Sequence, residues 1–351
     1  MAVEKNDSSR PTVLVTRFSA VGDVAMTIPV LYSVARCYPQ YRFVFVSRVR
    51  FGQLFVDRPE NLLFRGVNPD DYKGVVGLRR LYCELREEYN PQFFADLHDV
   101  LRTKILRVFF ALDGLRTERI MKGRVQKWRL TKGKSKEQLD TTFSRYVDVF
   151  VRLGLPFTPS FTSLFSGKAS IDDFSSLLPV KGFDKWVGIA PFARHKGKIY
   201  PIELMRKVVE KLSQQGVKVI CFGNGEQEAL VVDGWCRDFK NVISFIGKSN
   251  FAGELRLISN LDLMLSMDSA NMHVASLVNT PVLSVWGATS PLAGFLGWGQ
   301  KEEDCIQLPL ECRPCSIFGD KPCKFGDYRC MDIQPQHIVD RIMARLDNRK
   351  Y

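Results

Sequence analysis

The chain has 351 residues, of which 45% are hydrophobic and 25% are charged, and its formal net charge is +12. This composition is that of an ordinary globular protein and excludes a disordered chain, and the length favours two domains of about 150 residues each. No apolar run approaches the roughly 20 residues of a membrane span. Met1–Arg10 is polar and lacks the apolar core of a signal peptide, so we expect the protein to stay in the cytosol.

Strands and helices are predicted to alternate along both halves of the sequence. Apolar runs bounded by turn residues predict strands at 13–18, 43–47, 93–97, 186–190, 217–222, 242–246, 261–267 and 282–286. Helical spacing predicts helices at 24–37, 75–88, 101–112, 201–215, 226–238, 251–260, 270–278 and 335–346. Because the strands are continuously hydrophobic, we expect parallel sheets covered by helices on both faces, which is an α/β fold.

A proline-containing polar stretch separates the two halves. We therefore predict a first domain at 1–165, a linker at 166–184, a second domain at 185–334 and a closing helical segment at 335–351.

Positive charge is concentrated in residues 101–136, here called the basic segment. It holds twelve Lys and Arg residues against Asp113 and Glu118, and the rest of the chain is close to neutral. Such a field suits an anionic partner, namely a phosphorylated lipid, an acidic sugar or nucleic acid. A solvated basic face without a ligand is the alternative.

Four of the nine cysteines lie near the end of the chain in a C-x2-C-x7-C-x6-C spacing, namely Cys312, Cys315, Cys323 and Cys330. The opening pair is typical of structural zinc sites. A reduced structural cluster and a disulfide or redox role remain open as alternatives.

Polar side chains follow several predicted strands, at the sheet edge where parallel sheets bind ligands. Asp23 follows the first strand in a turn of small residues, and a carboxylate there can accept a proton from a hydroxyl. Lys198 follows the strand at 186–190 in a basic loop suited to phosphate. Glu226 and Asp268 begin later helices. For Asp23 and Asp268 the alternative is a helix N-cap, for Lys198 a solvated loop, and for Glu226 a helix charge.

Two motifs occur in a fixed order along the chain. The first runs from Val13 to Val24 and continues through Thr27-Ile28-Pro29, and the second runs from Asp268-Ser269 through His273 and Thr280-Pro281 to Trp286-Gly287-Ala288-Thr289. Together they resemble glycosyltransferase family 9, the ADP-heptose lipopolysaccharide heptosyltransferases. The resemblance implies a GT-B fold, in which two Rossmann-like domains face a central cleft. It also implies an inverting transfer that needs no metal cofactor.

The resemblance also implies roles for individual residues. Asp23 matches the catalytic base, and Lys198 stabilises the leaving diphosphate. Donor contacts are implied for Glu226, Ser249, Asp268, Ser269, Ala270 and His273, with adenine beside the loop 247–250. Ala270 stands where many members have glycine, so another nucleotide-sugar donor on the same scaffold remains the alternative.

The family's acceptor is a lipid A-linked saccharide, Kdo or heptose, at the cytosolic face of the inner membrane. The resemblance therefore implies that the first domain binds the acceptor and that the second binds ADP-heptose. We expect acceptor contacts at Arg102, Arg119, Lys122 and Arg124, an anionic membrane surface as a partner, and a monomer.

Two other functions are disfavoured by the residues themselves. A nucleic-acid-binding protein needs aromatic residues among its basic ones, and the basic segment offers mainly Trp128. An NAD-dependent oxidoreductase needs a glycine fingerprint, G-x-G-x-x-G, that is missing after the first strand.

Overall fold

The computed structural model describes residues 10–182 and 184–347. Most of the polar N-terminus and residues 348–351 of the closing segment lie outside this range. In chain order the first half contains β1 Thr12–Thr16, α1 Val21–Ala25, α2 Thr27–Cys37, β2 Arg42–Arg48, β3 Leu62–Val67, α3 Gly74–Tyr89, β4 Phe93–Asp96, α4 Leu101–Leu112, β5 Arg116–Arg119, α5 Arg124–Thr131 and α6 Thr142–Arg152. The second half contains β6 Trp186–Ala190, α7 Ile202–Gln214, β7 Lys218–Cys221, α8 Glu226–Asp238, β8 Val242–Ser244, α9 Phe251–Ser259, β9 Leu263–Met267, α10 Ala270–Leu277, β10 Val282–Val285, β11 Cys305–Ile306 and α11 Pro335–Asp347.

The first sheet has five parallel strands in the order β3-β2-β1-β4-β5. Its direction of winding reverses between β1 and β4, and the crevice at such a reversal is the usual ligand site of an open parallel sheet. Apolar side chains from β1, β2 and β4 pack beneath α3 and α4 around Leu14, Val44 and Phe94, all fully buried.

The second sheet has six parallel strands in the order β11-β10-β9-β6-β7-β8. Here the reversal lies between β6 and β9. Burial is complete along β6 and β9, and α7 and α11 contribute Val208, Leu212, Ile338 and Ile342 to the core on one face. The α/β fold class with two Rossmann-like sheets is confirmed.

Three strands escaped prediction, and each lies at a sheet edge. β5 reads Arg-Thr-Glu-Arg and has no apolar residue, while β3 is only half buried. β11 has two residues. β3 and β5 bury less surface than the central strands, and β11 is too short, so a search for continuous apolar runs misses all three.

The predicted helix 24–37 is wrong as a single element, because α1 ends at Ala25 and α2 begins at Thr27. Pro29 explains the break. Its ring lacks an N–H and would clash with the carbonyl of Ala25, four residues earlier.

The chain packs into two compact units. Of the described residues, 10–122 together with 142–162 form the first, and 123–141 together with 163–182 and 184–347 form the second. The domain boundaries drawn at 165 and 185 stay predictions. Within residues 10–182 and 184–347, no helix has both the length and the apolar composition needed to cross a bilayer.

The segment 312–330, which carries the four late cysteines, folds without the arrangement expected of a zinc site. Cys312, Cys315, Cys323 and Cys330 are all free thiols. Among the described residues, no three His, Cys, Asp or Glu side chains converge in a group that could hold a metal ion. The zinc hypothesis is therefore not supported, since sequence spacing does not fix the distances between sulfur atoms.

Candidate active site

In the first unit, Asp23 lies in the short helix α1 after β1. Its Oδ2 accepts a hydrogen bond from the backbone N–H of Ala20 at 3.1 Å and lies 2.7 Å from Nη2 of Arg17. Tyr146 donates its hydroxyl to the backbone carbonyl of Asp23 at 3.2 Å. Asp23 is therefore held at the third position of α1, not at the N-cap.

Arg17 is a residue that sequence reasoning did not identify. It is buried, and its Nη1 donates to the carbonyl of Leu97 at 2.7 Å. Burial lowers the pKa of Arg17, but nearby Tyr146 and Asp23 outweigh this effect and the net pKa is raised. The guanidinium thus joins the end of β1 to the end of β4 and presents a fixed positive charge to Asp23.

His98, just after β4, also lies in this group. Its Nδ1 accepts from the N–H of Phe18 at 3.3 Å, and its Nε2 lies 3.3 Å from Oγ of Ser19. Burial, together with the charges of Arg17 and Lys122, lowers the pKa of His98 to about 3. The imidazole is therefore neutral at physiological pH, and the accepting Nδ1 leaves its proton on Nε2.

Asp99 contacts Arg119 and Lys122, two of the four residues predicted to bind the acceptor. Nη1 of Arg119 lies 3.4 Å from its Oδ2, and Nζ of Lys122 donates to its carbonyl at 3.2 Å. Arg102 is directed elsewhere and donates to the carbonyl of Pro69 at 2.8 Å. Arg124 belongs to the second unit, where it begins α5.

In the second unit, the loops after β6 and β9 are joined by an ion pair. Nζ of Lys198 lies 2.8 Å from Oδ2 of Asp268, and Thr289 donates its hydroxyl to the same oxygen at 2.8 Å. Asp268 and Thr289 are buried. Asp268 precedes the N-cap of α10, which is Ser269, so the N-cap interpretation of Asp268 is wrong.

The start of α10 carries three more predicted donor contacts. Ser269 is half-buried, with its Oγ 3.2 Å from Oγ of Ser266. Ala270 is the first helical residue, and His273 is buried one turn later. Backbone N–H groups at such a helix start have no partner within the helix and are suited to binding an anion.

Of the two remaining predicted donor residues, one begins α8 and the other lies on the loop before α9. Glu226 is exposed at the first position of α8, whereas Glu228, which was not predicted, accepts the N–H of Asn224 at 2.6 Å and closes the turn. Ser249 is half-buried and packs over Gly253, where an added Cβ would meet its Oγ at 1.8 Å.

Comparison with known proteins places this chain in a family. The model of glycosyltransferase family 9 (heptosyltransferase) matches residues 123–328, more than half of the chain. The chain belongs to glycosyltransferase family 9. It is an enzyme of the glycosyltransferase class, related to the heptosyltransferases of lipopolysaccharide synthesis.

Individual family 9 proteins resemble the chain over most of its length. Lipooligosaccharide heptosyltransferase 2 of Campylobacter jejuni is 22% identical over 337 residues, which are 92% of this chain and 95% of that protein. Among solved structures, the ADP-heptose LPS heptosyltransferase II of Escherichia coli has a TM-score of 0.73 at 18% identity and covers 97% of this chain and 100% of its own. The Escherichia coli heptosyltransferase WaaC with ADP-2-deoxy-2-fluoro heptose has a TM-score of 0.64 at 14% identity and covers 95% and 99%. At these identities the two structures establish the shared fold.

Proposed function

We propose that this family 9 glycosyltransferase moves a heptose from ADP-heptose onto the lipid A-linked inner core of lipopolysaccharide, with inversion at the anomeric carbon. The observation that carries the proposal is the ion pair between Lys198 and Asp268 at the reversal point of the second sheet. A fixed cation, buried partners and a helix start with free N–H groups together suit a diphosphate. Related heptosyltransferases that bind ADP-sugars support the choice of donor.

Lys198 is proposed to stabilise the negative charge that develops when the donor bond breaks. As the bond between the anomeric carbon and the diphosphate oxygen breaks, the ADP leaving group gains negative charge. The ammonium of Lys198 stabilises that charge without a divalent cation. Asp268, fixed by Thr289, holds the ammonium in place before the reaction begins.

Asp23 accepts the proton from the attacking acceptor hydroxyl. The hydroxyl oxygen forms the new bond to the anomeric carbon while its proton moves to the carboxylate. Arg17 and the N–H of Ala20 fix Oδ2, which restricts the orientation of the carboxylate. Inversion follows from a single displacement.

The remaining proposed contacts divide between donor and acceptor. Glu226, Ser249, Ser269, Ala270 and His273 are assigned to the donor. Arg102, Arg119, Lys122 and Arg124 are assigned to the carboxylates and phosphates of a Kdo or heptose acceptor, whose lipid anchor places the reaction at the cytosolic face of the inner membrane. The excess of positive charge in the basic segment supports an anionic acceptor and an anionic membrane surface.

A second donor remains a distinct candidate because of Ala270. An alanine at the first position of α10 brings a methyl group to the place where many family members have glycine. A different nucleotide sugar, used in another cell-surface polysaccharide, is the alternative that this residue favours.

Turnover on matched substrates tests the proposal. Purified full-length protein is incubated with ADP-heptose, UDP-glucose or GDP-mannose and with lipid A carrying Kdo alone or Kdo and heptose. We expect ADP release and a product heavier by one heptose, with an inverted anomeric centre by NMR and no loss of rate in EDTA. Turnover with another nucleotide sugar but not with ADP-heptose would favour the alternative, and no transfer from any donor would contradict both.

A further inference from the structure

The segment 313–319, here called the bracing segment, packs against Lys198 and against the loop that carries Thr289, the residue bonded to Asp268. We propose that it is a positioning element for the donor site, with Arg313, Ser316 and Gly319 as positioning residues. This inference rests on the proposed role of Lys198. The segment lies inside the cysteine-rich region whose role the sequence left open.

On the lysine side, Gly319 contacts the aliphatic stem of Lys198. A Cβ built on Gly319 would lie 2.7 Å from Cγ of Lys198 and 3.3 Å from both Cδ and Cε. The φ angle of Gly319 is +75°, a left-handed conformation that favours glycine. The backbone of the bracing segment therefore forms the wall along which the lysine side chain extends.

A chain of backbone hydrogen bonds links the same two loops. The carbonyl of Gly197, next to Lys198, accepts from the N–H of Ala288 at 2.8 Å. The carbonyl of Ala288 accepts in turn from the N–H groups of Cys315 at 3.1 Å and Ser316 at 3.2 Å. A Cβ on Gly197 would meet Cβ of Ala288 at 2.8 Å and the carbonyl oxygen of Gly319 at 3.0 Å, so the loops are in close contact.

On the aspartate side, Arg313 holds the loop that carries Thr289. Its guanidinium donates to the carbonyl of Gly287 and, at 3.0 Å, to the carbonyl of Thr289. Thr289 is the residue whose hydroxyl bonds to Asp268. One guanidinium thus fixes the backbone on both sides of Ala288.

Ser316 keeps the bracing segment in its turn. It is fully buried, its Oγ accepts from the N–H of Gly319 at 2.9 Å, and its hydroxyl donates to Oδ1 of Asp320 at 2.7 Å. This hydrogen bond lowers the pKa of Asp320. Because Ser316 does not contact Lys198 in this network, it offers a way to loosen the turn without adding bulk beside the lysine.

A glycine pair provides a matched experiment. Gly319→Ala adds a methyl group against Lys198, whereas Gly326→Ala imposes the same left-handed strain, with φ +79°, at a site with nothing within 4 Å. We expect Gly319→Ala to lower kcat about 10- to 100-fold, since misplacing a group by about 1 Å has effects of that size. Gly326→Ala should stay within about twofold of wild type, and both variants should melt a few degrees lower. Ser316→Ala should lower kcat in the same direction as Gly319→Ala.

A double-variant cycle separates positioning from general destabilisation. When Lys198 is already replaced by Met, adding Gly319→Ala should change kcat by less than about twofold, because the group being positioned is gone. Equal kcat for the Gly319 and Gly326 variants, or losses that multiply in the double variant, would overturn the proposal. If wild type fails to turn over ADP-heptose, the proposed function fails instead. ADP binding by calorimetry then tests positioning, and equal Kd for the two glycine variants would refute it.

Discussion

Lys198 and Asp268 form an ion pair of 2.8 Å between the loops that follow β6 and β9. These strands are neighbours in the sheet, although about 70 residues separate them in the chain. The pair lies at the point where the order of the sheet reverses. It therefore combines the two features expected of a phosphate site, a fixed cation and a position at the carboxyl ends of parallel strands.

Replacing Lys198 should lower the rate of the chemical step. Lys198→Met removes the ammonium, and the loss of one preorganised charge stabiliser lowers kcat by about 10²- to 10³-fold. Lys196→Met is the matched control, because Lys196 lies in the same turn but is exposed, with its Nζ 5.2 Å from the ring centre of Tyr328. Steady-state kinetics with saturating acceptor measure both variants. Equal losses in the two variants would contradict a specific role for Lys198.

Thr289 should stabilise the fold through its bond to a charged acceptor. Thr289→Val removes a hydrogen bond to a carboxylate and should lower the free energy of unfolding by about 1.5–3 kcal/mol. Thr280→Val removes a bond of 2.7 Å to the neutral carbonyl of Ile258 and should cost about 1 kcal/mol. Urea unfolding measures both variants. A larger loss of unfolding free energy in Thr280→Val than in Thr289→Val would contradict this prediction.

Glu254 should make stability depend on pH. Burial raises its pKa from 4.5 to about 7, so the folded state keeps a proton that the unfolded state loses at lower pH. The free energy of unfolding therefore falls as pH rises from about 4.5 to about 7. The Glu254→Gln variant lacks this pH-dependent loss. Its free energy of unfolding relative to that of wild type should therefore rise by about 2–3 kcal/mol between about pH 5 and about pH 8. A constant difference at the two pH values would contradict the raised pKa.

Lys122 should contribute to acceptor binding through its charge. Lys122→Ala should raise the acceptor KM about 3- to 10-fold at low salt, and the effect should shrink as salt screens the charge. Lys240→Ala removes the same charge from an exposed position after α8 and is the control. Initial rates at several salt concentrations measure the effect. An unchanged acceptor KM at low salt would remove Lys122 from the proposed contacts.

Sequence patterns predicted the central strands because burial on both faces leaves a continuous apolar run, as in β6 and β9. The edge strands β3 and β5 were missed because they lack such a long run. The break before Pro29 was missed although a proline inside a helical pattern is itself a sequence signal. Lys198 and Asp268 were each predicted from their positions after strands. Their direct pairing depends on strand order, which is a long-range property that local patterns do not contain.

Arg17 and His98 were not identified from local sequence patterns. Arg17 fell inside a predicted strand and inside the first motif without an assigned role, and His98 followed another strand next to Asp99, so neither was singled out. Their relation to Asp23 follows from β1 pairing with β4. A search for polar residues at every predicted strand end would have identified His98. The cysteine spacing was a clear local signal, but it did not determine how the thiols are arranged in space.

The single-turnover rate of Asp23→Asn tests the central claim most directly. The amide keeps an oxygen for the N–H of Ala20 but does not accept the proton of the attacking hydroxyl. With saturating ADP-heptose and a lipid A-linked acceptor, we expect the rate of transfer to fall by about 10²- to 10⁴-fold while the Kd of ADP stays within about twofold. A transfer rate within about threefold of wild type would contradict the assignment of Asp23 as the base and the mechanism built on it.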